Sequence, residues 1–293
     1  MSRAEAQTDG KADFDHIYNA PDPRAYYRTL CALEYEIPQR ALPVVQALLT
    51  AQAQATPAST GPQRVLDVCC SYGINAALLR LDLSLDDLHQ RYLADDVTEL
   101  SPQELTRSDA ELFAGLRRPD APRVTGLDIA RSAVAYGLQA GLLDDGWVED
   151  LQVDDPSGGL VAELAEVDLV LTTGGVGYVT EPTFDRLLSA DRSAPPWVAA
   201  WVLRIYPYDA IAETLSGHGL VTEKLDGVAF RQRRFADAEE QAAAVDAVTA
   251  LGLDPTGLEA DGSFHAELFV SRPAADAAQQ PLQELLAGAG SGG

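Results

Sequence analysis

Arg64-Val65-Leu66-Asp67-Val68-Cys69-Cys70-Ser71-Tyr72-Gly73-Ile74-Asn75-Ala76-Ala77-Leu78-Leu79 is the stretch that decides the fold. Its first five residues have the apolar, β-branched bias of a strand covered on both faces, and its last four are helix formers. A turn between such a strand and helix directs free backbone N–H groups and the positive helix end toward a ligand. Small side chains between Asp67 and Gly73 allow the backbone to approach that ligand.

This stretch resembles motif I of the class I S-adenosylmethionine-dependent methyltransferases, in which an acidic residue precedes a Gly-x-Gly-x-Gly turn. Asp67, Cys69, Ser71 and Gly73 fill the four positions, so two of the three glycines are replaced by other small residues. The resemblance implies that these four residues bind S-adenosyl-L-methionine. A packing turn without a ligand is the alternative reading of such a degenerate motif.

A second acidic residue, Asp128, ends the next predicted strand, residues 124–128, just before a helix over residues 129–137. A carboxylate at this position can accept hydrogen bonds from both hydroxyls of a ribose. The segment resembles the methyltransferase segment whose acid holds the cofactor ribose, and we include the following Ile129 in the predicted cofactor site. A helix N-cap is the alternative role for Asp128.

A short third strand is predicted around residues 147–151. In the family, an acidic residue after this strand meets the adenine amino group. Asp150 and Leu151 are the best match for that position, and Asp154 or Asp155 are the alternatives.

The fourth strand is predicted over residues 167–172, and a loop with three glycines follows it at residues 173–178. Three glycines indicate close backbone approach to a ligand or sharp turning. The resemblance places the methionine end of the cofactor and its transferable methyl group beside this loop. We therefore assign Thr172 to the cofactor site and expect Tyr178 to face the methyl acceptor.

A helical cap is predicted over residues 14–60, with helices at residues 24–30 and 39–53. In class I methyltransferases such a segment often closes over the cofactor and shapes the substrate pocket. His16, Tyr18 and Tyr178 are the candidate catalytic residues if the reaction uses a general base. Packing of the cap against the sheet is the alternative role for His16 and Tyr18.

Residues 82–122 depart from a plain doubly wound fold, which would bring the next strand within a few residues. Helical periodicity covers residues 85–93, and Ser101 followed by Glu104 is typical of a capped helix start. A further helix start is predicted at residues 108–113. We interpret the segment as a helical insertion that forms a lid or a contact in a possible homodimer.

The last part of the chain predicts a fifth strand over residues 197–206, extended segments over 220–225 and 228–235, and a last strand over 264–270. This pattern resembles the antiparallel C-terminal hairpin of the methyltransferase sheet. The predicted fold class is α/β, a doubly wound, mostly parallel seven-stranded sheet of the Rossmann-like methyltransferase type. The predicted organisation is a disordered N-terminus at residues 1–13, the cap at 14–60, the methyltransferase-like domain at 61–272 with its insertion, and a flexible tail at 273–293.

Composition restricts the partners. The chain has 21 Lys and Arg against 45 Asp and Glu, a formal net charge of −24, and such a field repels phosphate backbones and anionic lipid. We therefore expect neither nucleic acid nor membrane as a partner. The three cysteines form no disulfide framework and no metal-ligand pattern, which favours a cytoplasmic protein without a metal site.

These observations and the resemblance together predict an enzyme, an S-adenosylmethionine-dependent methyltransferase that acts on a small-molecule acceptor by O-, N- or C-methylation, with secondary metabolism as the expected setting. A nicotinamide-dependent oxidoreductase would need a Gly-x-Gly-x-x-Gly turn, which residues 69–73 lack. The other alternative is a methyltransferase-like protein that binds the cofactor or another ligand without transferring a methyl group.

Overall fold

The computed structural model describes residues 15–55, 61–192 and 194–287, with the side chains of Asp15 and His16 outside the described part. The strands are β1 Arg64–Val68, β2 Arg123–Leu127, β3 Asp145–Trp147, β4 Leu169–Thr173, β5 Trp197–Leu203, β6 Leu220–Lys224, β7 Phe230–Arg234 and β8 Ser263–Pro273. The helices are α1 Asp15–Tyr18, α2 Arg24–Ala32, α3 Ile37–Ala55, α4 Ile74–Arg80, α5 Leu85–Leu93, α6 Asp95–Thr98, α7 Pro102–Leu116, α8 Arg131–Gln139, α9 Gly158–Leu164, α10 Glu181–Leu188, α11 Asp209–Gly217, α12 Ala238–Ala250, α13 Ala274–Gln279 and α14 Leu282–Leu285.

One mixed sheet contains these strands in the order β3-β2-β1-β4-β5-β8-β6. β1 to β5 pair in parallel, whereas β8 is antiparallel to β5, β6 and β7. Because β8 is 11 residues long, β7 and β6 pair with its first and last parts along the same edge. The predicted fold class is therefore confirmed, with eight strands occupying the seven expected positions.

Helices cover both faces of the sheet, which explains the continuous apolar strands. All seven residues of β5 are buried, and they alternate between the two faces. Ala199, Trp201 and Leu203 face the core beneath α3, α4 and α8. Val198 and Val202 face the other core, beneath α9, α10 and α11. The functional edge of the sheet is the one formed by the carboxyl ends of β1, β2 and β4.

The helical segment 85–116 is fixed to α2 by an arginine. The Arg24 guanidinium donates hydrogen bonds to the carbonyl oxygens of Val97 and Leu100 at 2.8 and 2.9 Å, and Asp22 pairs with the same side chain at 2.7 Å. Arg24 therefore holds the N-terminal helices and the end of α6 together.

The Ser101 capping box is confirmed, and the predicted helix start at residues 108–113 is wrong. Ser101 caps α7, with its hydroxyl accepting from the Glu104 N–H and the Glu104 carboxylate accepting from the Ser101 N–H. α7 then runs without interruption to Leu116. Ser108 resembles a cap in sequence, but its hydroxyl accepts a hydrogen bond from the Arg91 guanidinium at 2.7 Å instead.

A buried carboxylate joins α7 to α8. Asp109 accepts hydrogen bonds from the Tyr136 hydroxyl at 2.7 Å, the Tyr92 hydroxyl at 3.2 Å and the Arg91 Nε at 3.1 Å. All its polar atoms face inward, so α7 is held against the main domain by a satisfied polar network.

Several element boundaries differ from prediction; the fifth strand, for example, ends at Leu203 and not at residue 206. The third strand is Asp145–Trp147 and not residues 147–151, because the chain leaves the sheet after Trp147 and Glu149 binds the backbone N–H of Ser157 at 2.9 Å. The predicted flexible tail contains α13 and α14, and Leu282 and Leu286 are buried. Residues 288–293, like the predicted disordered residues 1–13, lie outside the described part.

Within residues 15–55, 61–192 and 194–287, no helix is long and apolar enough to cross a bilayer. The same described ranges hold no group of three or more His, Cys, Asp or Glu side chains that could bind a metal ion. Cys31, Cys69 and Cys70 form no disulfide bond.

Candidate functional site

Asp67 lies at the centre of the carboxyl edge, near the end of β1, and is completely buried. Its Oδ1 accepts a hydrogen bond from the Asn75 amide at 2.9 Å, and the same amide donates to the Thr173 hydroxyl at 3.0 Å. Its Oδ2 is buried without a partner. Burial raises the pKa of Asp67 to about 7, against the opposing effect of the Asn75 hydrogen bond.

The turn after β1 has a left-handed backbone at three residues, and only one of them is glycine. Cys69, Ser71 and Gly73 have φ values of 61°, 50° and 82°, all in the left-handed region. A non-glycine residue in this region costs on the order of 1 to 2 kcal/mol. Cys69 and Ser71, which stand where the motif has glycine, thus adopt the conformation that glycine would favour.

Asp128 holds this turn from the neighbouring strand. Its Oδ2 accepts a hydrogen bond from the Ser71 N–H at 2.8 Å, and its Oδ1 accepts from the Ala130 N–H at 2.9 Å. Burial raises the pKa of Asp128, opposed by these backbone N–H groups. α8 has Ala130 at its N-cap position, so the predicted alternative of an Asp128 cap is not what the structure shows.

An apolar side chain lies open to solvent directly after Asp128. Ile129 is 62% exposed, although large aliphatic side chains are more often buried.

The loop after β3 places Asp150 on the surface and Leu151 in the core. Asp150 Oδ1 accepts a hydrogen bond from the Gln152 N–H at 3.0 Å, within an otherwise open turn. Asp154 is also exposed, and Asp155 pairs with Arg186 at 3.0 Å. Among these acids Asp155 therefore already has a cationic partner.

Thr172 is buried below the loop that follows β4. A Cβ atom at Gly175 would lie 2.4 Å from the Thr172 Oγ1 and 2.9 Å from the Cys69 Sγ, so only glycine fits there. The Thr172 hydroxyl has no partner. The loop backbone is thereby pressed against the turn after β1.

The N-terminal helices bring tyrosines to the same edge. The half-buried Tyr18 ring lies 5.7 Å from Tyr26, which is itself 5.7 Å from Tyr72. The Tyr72 hydroxyl lies 2.8 Å from the Ile17 carbonyl and 2.9 Å from that of Ala20, which fixes this segment over the turn.

Of the predicted catalytic residues, Tyr18 and Tyr178 lie close enough to influence each other. Burial, then the neighbouring phenols of Tyr35 and Tyr178, raise the pKa of Tyr18 well above its usual range. Tyr178 is 51% exposed. The side chain of His16 lies outside the described part of the chain.

The structure brings two further polar residues to this edge that sequence reasoning missed, Asn75 and Gln232. Asn75 is a polar residue in the otherwise apolar first turns of α4, and this local pattern could have indicated a functional residue. Gln232 comes from a distant strand and gave no local signal. The buried side-chain atoms without partners at this edge are Asp67 Oδ2, Ser71 Oγ, Thr172 Oγ1 and Gln232 Oε1.

A cavity of about 460 Å³ lies at the opposite, amino edge of the sheet and contains none of the predicted site residues. It is lined among others by Leu49, Gln63, Arg118 and Pro122. The described members of the predicted site therefore lie outside this cavity.

Searches against protein-family models and curated protein sequences found no match. Among solved structures, the plantazolicin methyltransferase BpumL in complex with SAH is 11% identical over 92% of this chain and 93% of that one, with a TM-score of 0.39. Geranyl diphosphate C-methyltransferase from Streptomyces coelicolor is 11% identical over 77% and 79%, with a TM-score of 0.38. A TehB-like SAM-dependent methyltransferase from Corynebacterium glutamicum is 16% identical over 75% and 86%, with a TM-score of 0.35.

The assignment of the fold depends on the sheet itself and not on these similarities. Five parallel strands in the order β3-β2-β1-β4-β5 continue into an antiparallel β8, which lies between β5 and β6. This chain therefore has the fold of the class I S-adenosylmethionine-dependent methyltransferases.

Proposed function

We propose that this chain is an S-adenosylmethionine-dependent methyltransferase that acts on a small-molecule acceptor by O-, N- or C-methylation. The observation that carries the proposal is the left-handed backbone at Cys69, Ser71 and Gly73, held by Asp128. Strained backbone of this kind persists mainly where function requires it. A packing turn alone would have no need of it.

The residues at the carboxyl edge fit this cofactor. The Asp128 carboxylate accepts the backbone N–H groups of Ser71, Ala130 and Ile129 and keeps lone-pair capacity for a ribose hydroxyl, while the exposed Ile129 side chain offers an apolar surface to the adenine. We propose that Asp150, with Asp154 as the alternative, accepts a hydrogen bond from the adenine amino group. The carboxylates Asp67 and Asp128 favour a ligand with positive charge.

When bound, S-adenosyl-L-methionine supplies a methyl group on a sulfonium whose charge already activates the leaving group. The protein's part is therefore to position the acceptor and exclude water. Tyr18 remains protonated because its pKa is raised, so we propose that its hydroxyl orients the acceptor by donating a hydrogen bond. We propose that the 51% exposed Tyr178 side chain faces the acceptor from the solvent side.

Calorimetric titration with S-adenosylmethionine, S-adenosylhomocysteine and NADH tests the proposal. We expect micromolar binding of the first two and none of NADH. Asp128→Ala should weaken binding by about 1.5 to 3 kcal/mol, because it removes hydrogen bonds to a charged group. Asp185→Ala, an exposed carboxylate that pairs with His218, is the control and should leave the affinity unchanged. Failure of the wild-type protein to bind either ligand would refute the proposal.

A second candidate is a protein that binds this cofactor or another ligand without methyl transfer. Two observations favour it. Side chains replace glycine at positions 69 and 71, and backbone N–H groups already donate hydrogen bonds to the Asp128 carboxylate. Incubation with S-adenosylmethionine and a library of amines, phenols and acids separates the two candidates. Release of S-adenosylhomocysteine supports the enzyme, whereas binding without release in any mixture supports the second candidate.

The proposal extends to the organisation of the chain. We propose that residues 14–60 act as a cap over the site, and that the insertion near residues 82–122 is a lid or a homodimer contact, which light scattering after size-exclusion chromatography would test. The reduced state of the three cysteines, which form no disulfide, supports a cytoplasmic location, and the net charge of −24 supports exclusion of nucleic acid.

A further inference from the structure

Gln232 is a buried amide that the proposed methyl transfer does not yet explain. It lies in β7, only 4% of its surface is exposed, and its Oε1 has no hydrogen-bond partner. Leaving a buried acceptor unsatisfied costs about 1 to 3 kcal/mol. Such a group is therefore expected to have a partner in the working complex.

The backbone around Gln232 is held in place from two sides. The pairing of β7 with β8 shifts register between Arg231 and Arg233, which is a β-bulge centred on Gln232. Its carbonyl oxygen accepts a hydrogen bond from the Glu36 N–H at 2.8 Å, and the Arg234 N–H donates to the Leu33 carbonyl at 2.7 Å. Bulges often redirect a side chain next to a functional site.

The Gln232 amide points at the glycine loop that follows β4. A Cβ atom at Gly174 would lie 2.7 Å from the Gln232 Nε2, and Gly174 has a φ of 85°. Glycine at this position therefore leaves room for the amide to pack directly on the loop backbone. This is the same loop beside which the proposed function requires the transferable methyl group.

The charges around this position oppose an anionic ligand. The adjacent Arg233 is buried, and its guanidinium donates hydrogen bonds to the Glu240 carboxylate at 2.6 and 2.9 Å. Asp67 lies on β1, the strand beside β4, and Asp128 follows β2; the phenol of Tyr18 lies near Asp128 and Tyr178, and that of Tyr35 near Asp67. Arg233, the cation that acts on Tyr18 and Tyr35, is already paired with Glu240, so an acceptor carboxylate or phosphate would have to share it with that carboxylate.

We propose that Gln232 determines acceptor specificity: its Oε1 accepts a hydrogen bond from an N–H or O–H group of a neutral or cationic acceptor. This inference rests on the proposed function, because it places the acceptor beside the β4 loop. It goes further in naming the chemical class of the acceptor and the residue that selects it. Acidic acceptors are excluded from this class.

Two pairs of fragments that differ only in the donor test this assignment, namely indole with N-methylindole and benzamide with N,N-dimethylbenzamide. Their affinities are measured by ligand-observed NMR with and without S-adenosylhomocysteine, on the wild type and on Gln232→Met. We expect the wild type to bind the donor member of each pair about threefold to tenfold more tightly. Gln232→Met, which keeps the volume and loses the acceptor, should bind both members equally.

Gln52→Met is the matched control, since Gln52 is a buried glutamine at the amino edge, where it contacts Gln63 and Asp168. It should keep the wild-type preference. The side-chain amide resonance of Gln232, identified by its loss in Gln232→Met, should shift with indole and not with N-methylindole.

The results separate this inference from the proposed function. Cofactor affinity that is retained in Gln232→Met, together with an unchanged donor preference or an unmoved Gln232 resonance, would overturn the assignment of Gln232 alone. Wild-type protein that binds none of the four fragments in either condition would also overturn it. Absence of cofactor binding in the wild type refutes the proposed function, while the titrations without cofactor still decide the role of Gln232.

Discussion

Cys69 and Ser71 show how a degenerate motif keeps its shape. A Cβ atom disfavours the left-handed region, yet both residues adopt it because neighbouring groups fix the turn. The Cys69 N–H donates to the Leu127 carbonyl at 2.9 Å, and the Ser71 N–H donates to Asp128 at 2.8 Å. At the residue scale, conformation and not residue identity is what the motif preserves.

Ser71→Gly should stabilise the protein. Relief of the left-handed strain and removal of the unpaired Oγ outweigh the greater freedom that glycine gives the unfolded chain, for a net gain of about 0.5 to 1 kcal/mol. Urea denaturation measures the free energy of unfolding. Ser216→Gly, in the helical conformation of α11, is the control and should lower stability instead. A loss of stability in Ser71→Gly would show that the turn is not strained.

Asp67→Asn should remove a pH dependence of stability. The pKa of Asp67 is about 7 in the fold and near its ordinary value of 3.8 in the unfolded chain. The folded state thus binds more protons between these values, so its contribution is most favourable below the lower pKa and is lost as the pH rises through the higher one. The lost contribution to the free energy of unfolding is on the order of 4 kcal/mol, since a pKa difference of one between the folded and unfolded states corresponds to about 1.4 kcal/mol.

Denaturation of wild type and Asp67→Asn on either side of neutral pH checks this prediction. The amide keeps an oxygen for the Asn75 hydrogen bond and carries no charge, so the variant should gain most over the wild type above about pH 8. A stability difference that does not change between about pH 5 and pH 8 would contradict the raised pKa of Asp67.

At the scale of elements, α7 shows where local signals succeed and where they fail. The Ser101 box predicts the start of the helix because capping involves only residues within one turn. Ser108 carries a similar local pattern, but its hydroxyl contacts Arg91 on α5. The sequence cannot distinguish the two cases, because the partner of Ser108 is distant along the chain.

Asp109→Asn should loosen α7 from α8. The variant leaves Arg91 without its buried carboxylate and weakens two tyrosine hydrogen bonds, so we expect a loss of about 1 to 3 kcal/mol. Hydrogen exchange should accelerate mainly in residues 85–116. Asp96→Asn is the control, because Asp96 is an exposed carboxylate 4.0 Å from the same Arg91 and should matter little. Equal effects of the two variants would refute the role of the buried network.

At the scale of the whole molecule, acidic charge dominates the surface. With a formal net charge of −24, the excess carboxylates repel one another in the compact state. Dissolved salt screens this repulsion beyond about 10 Å at moderate ionic strength. The field also attracts the cationic groups of the proposed cofactor. It acts against any polyanionic partner.

Added salt should therefore stabilise this protein. We expect the melting temperature to rise between low salt and about 0.5 M NaCl at neutral pH, because screening of self-repulsion outweighs the weakening of exposed ion pairs. Differential scanning calorimetry across this range is the measurement. A melting temperature that falls with salt would mean that the ion pairs contribute more than the repulsion.

The sequence by itself determined the strand-turn-helix unit at residues 64–79, the acids at Asp67 and Asp128, and the continuous apolar runs that predict a sheet covered on both faces, because these features depend on neighbouring residues. Only the tertiary structure decided that Asp128 binds the Ser71 N–H and that Gln232 points at Gly174. It also decided that α13 and α14 pack in the predicted tail. Contacts between residues far apart in the chain depend on how strands and helices pack, and no local pattern encodes them.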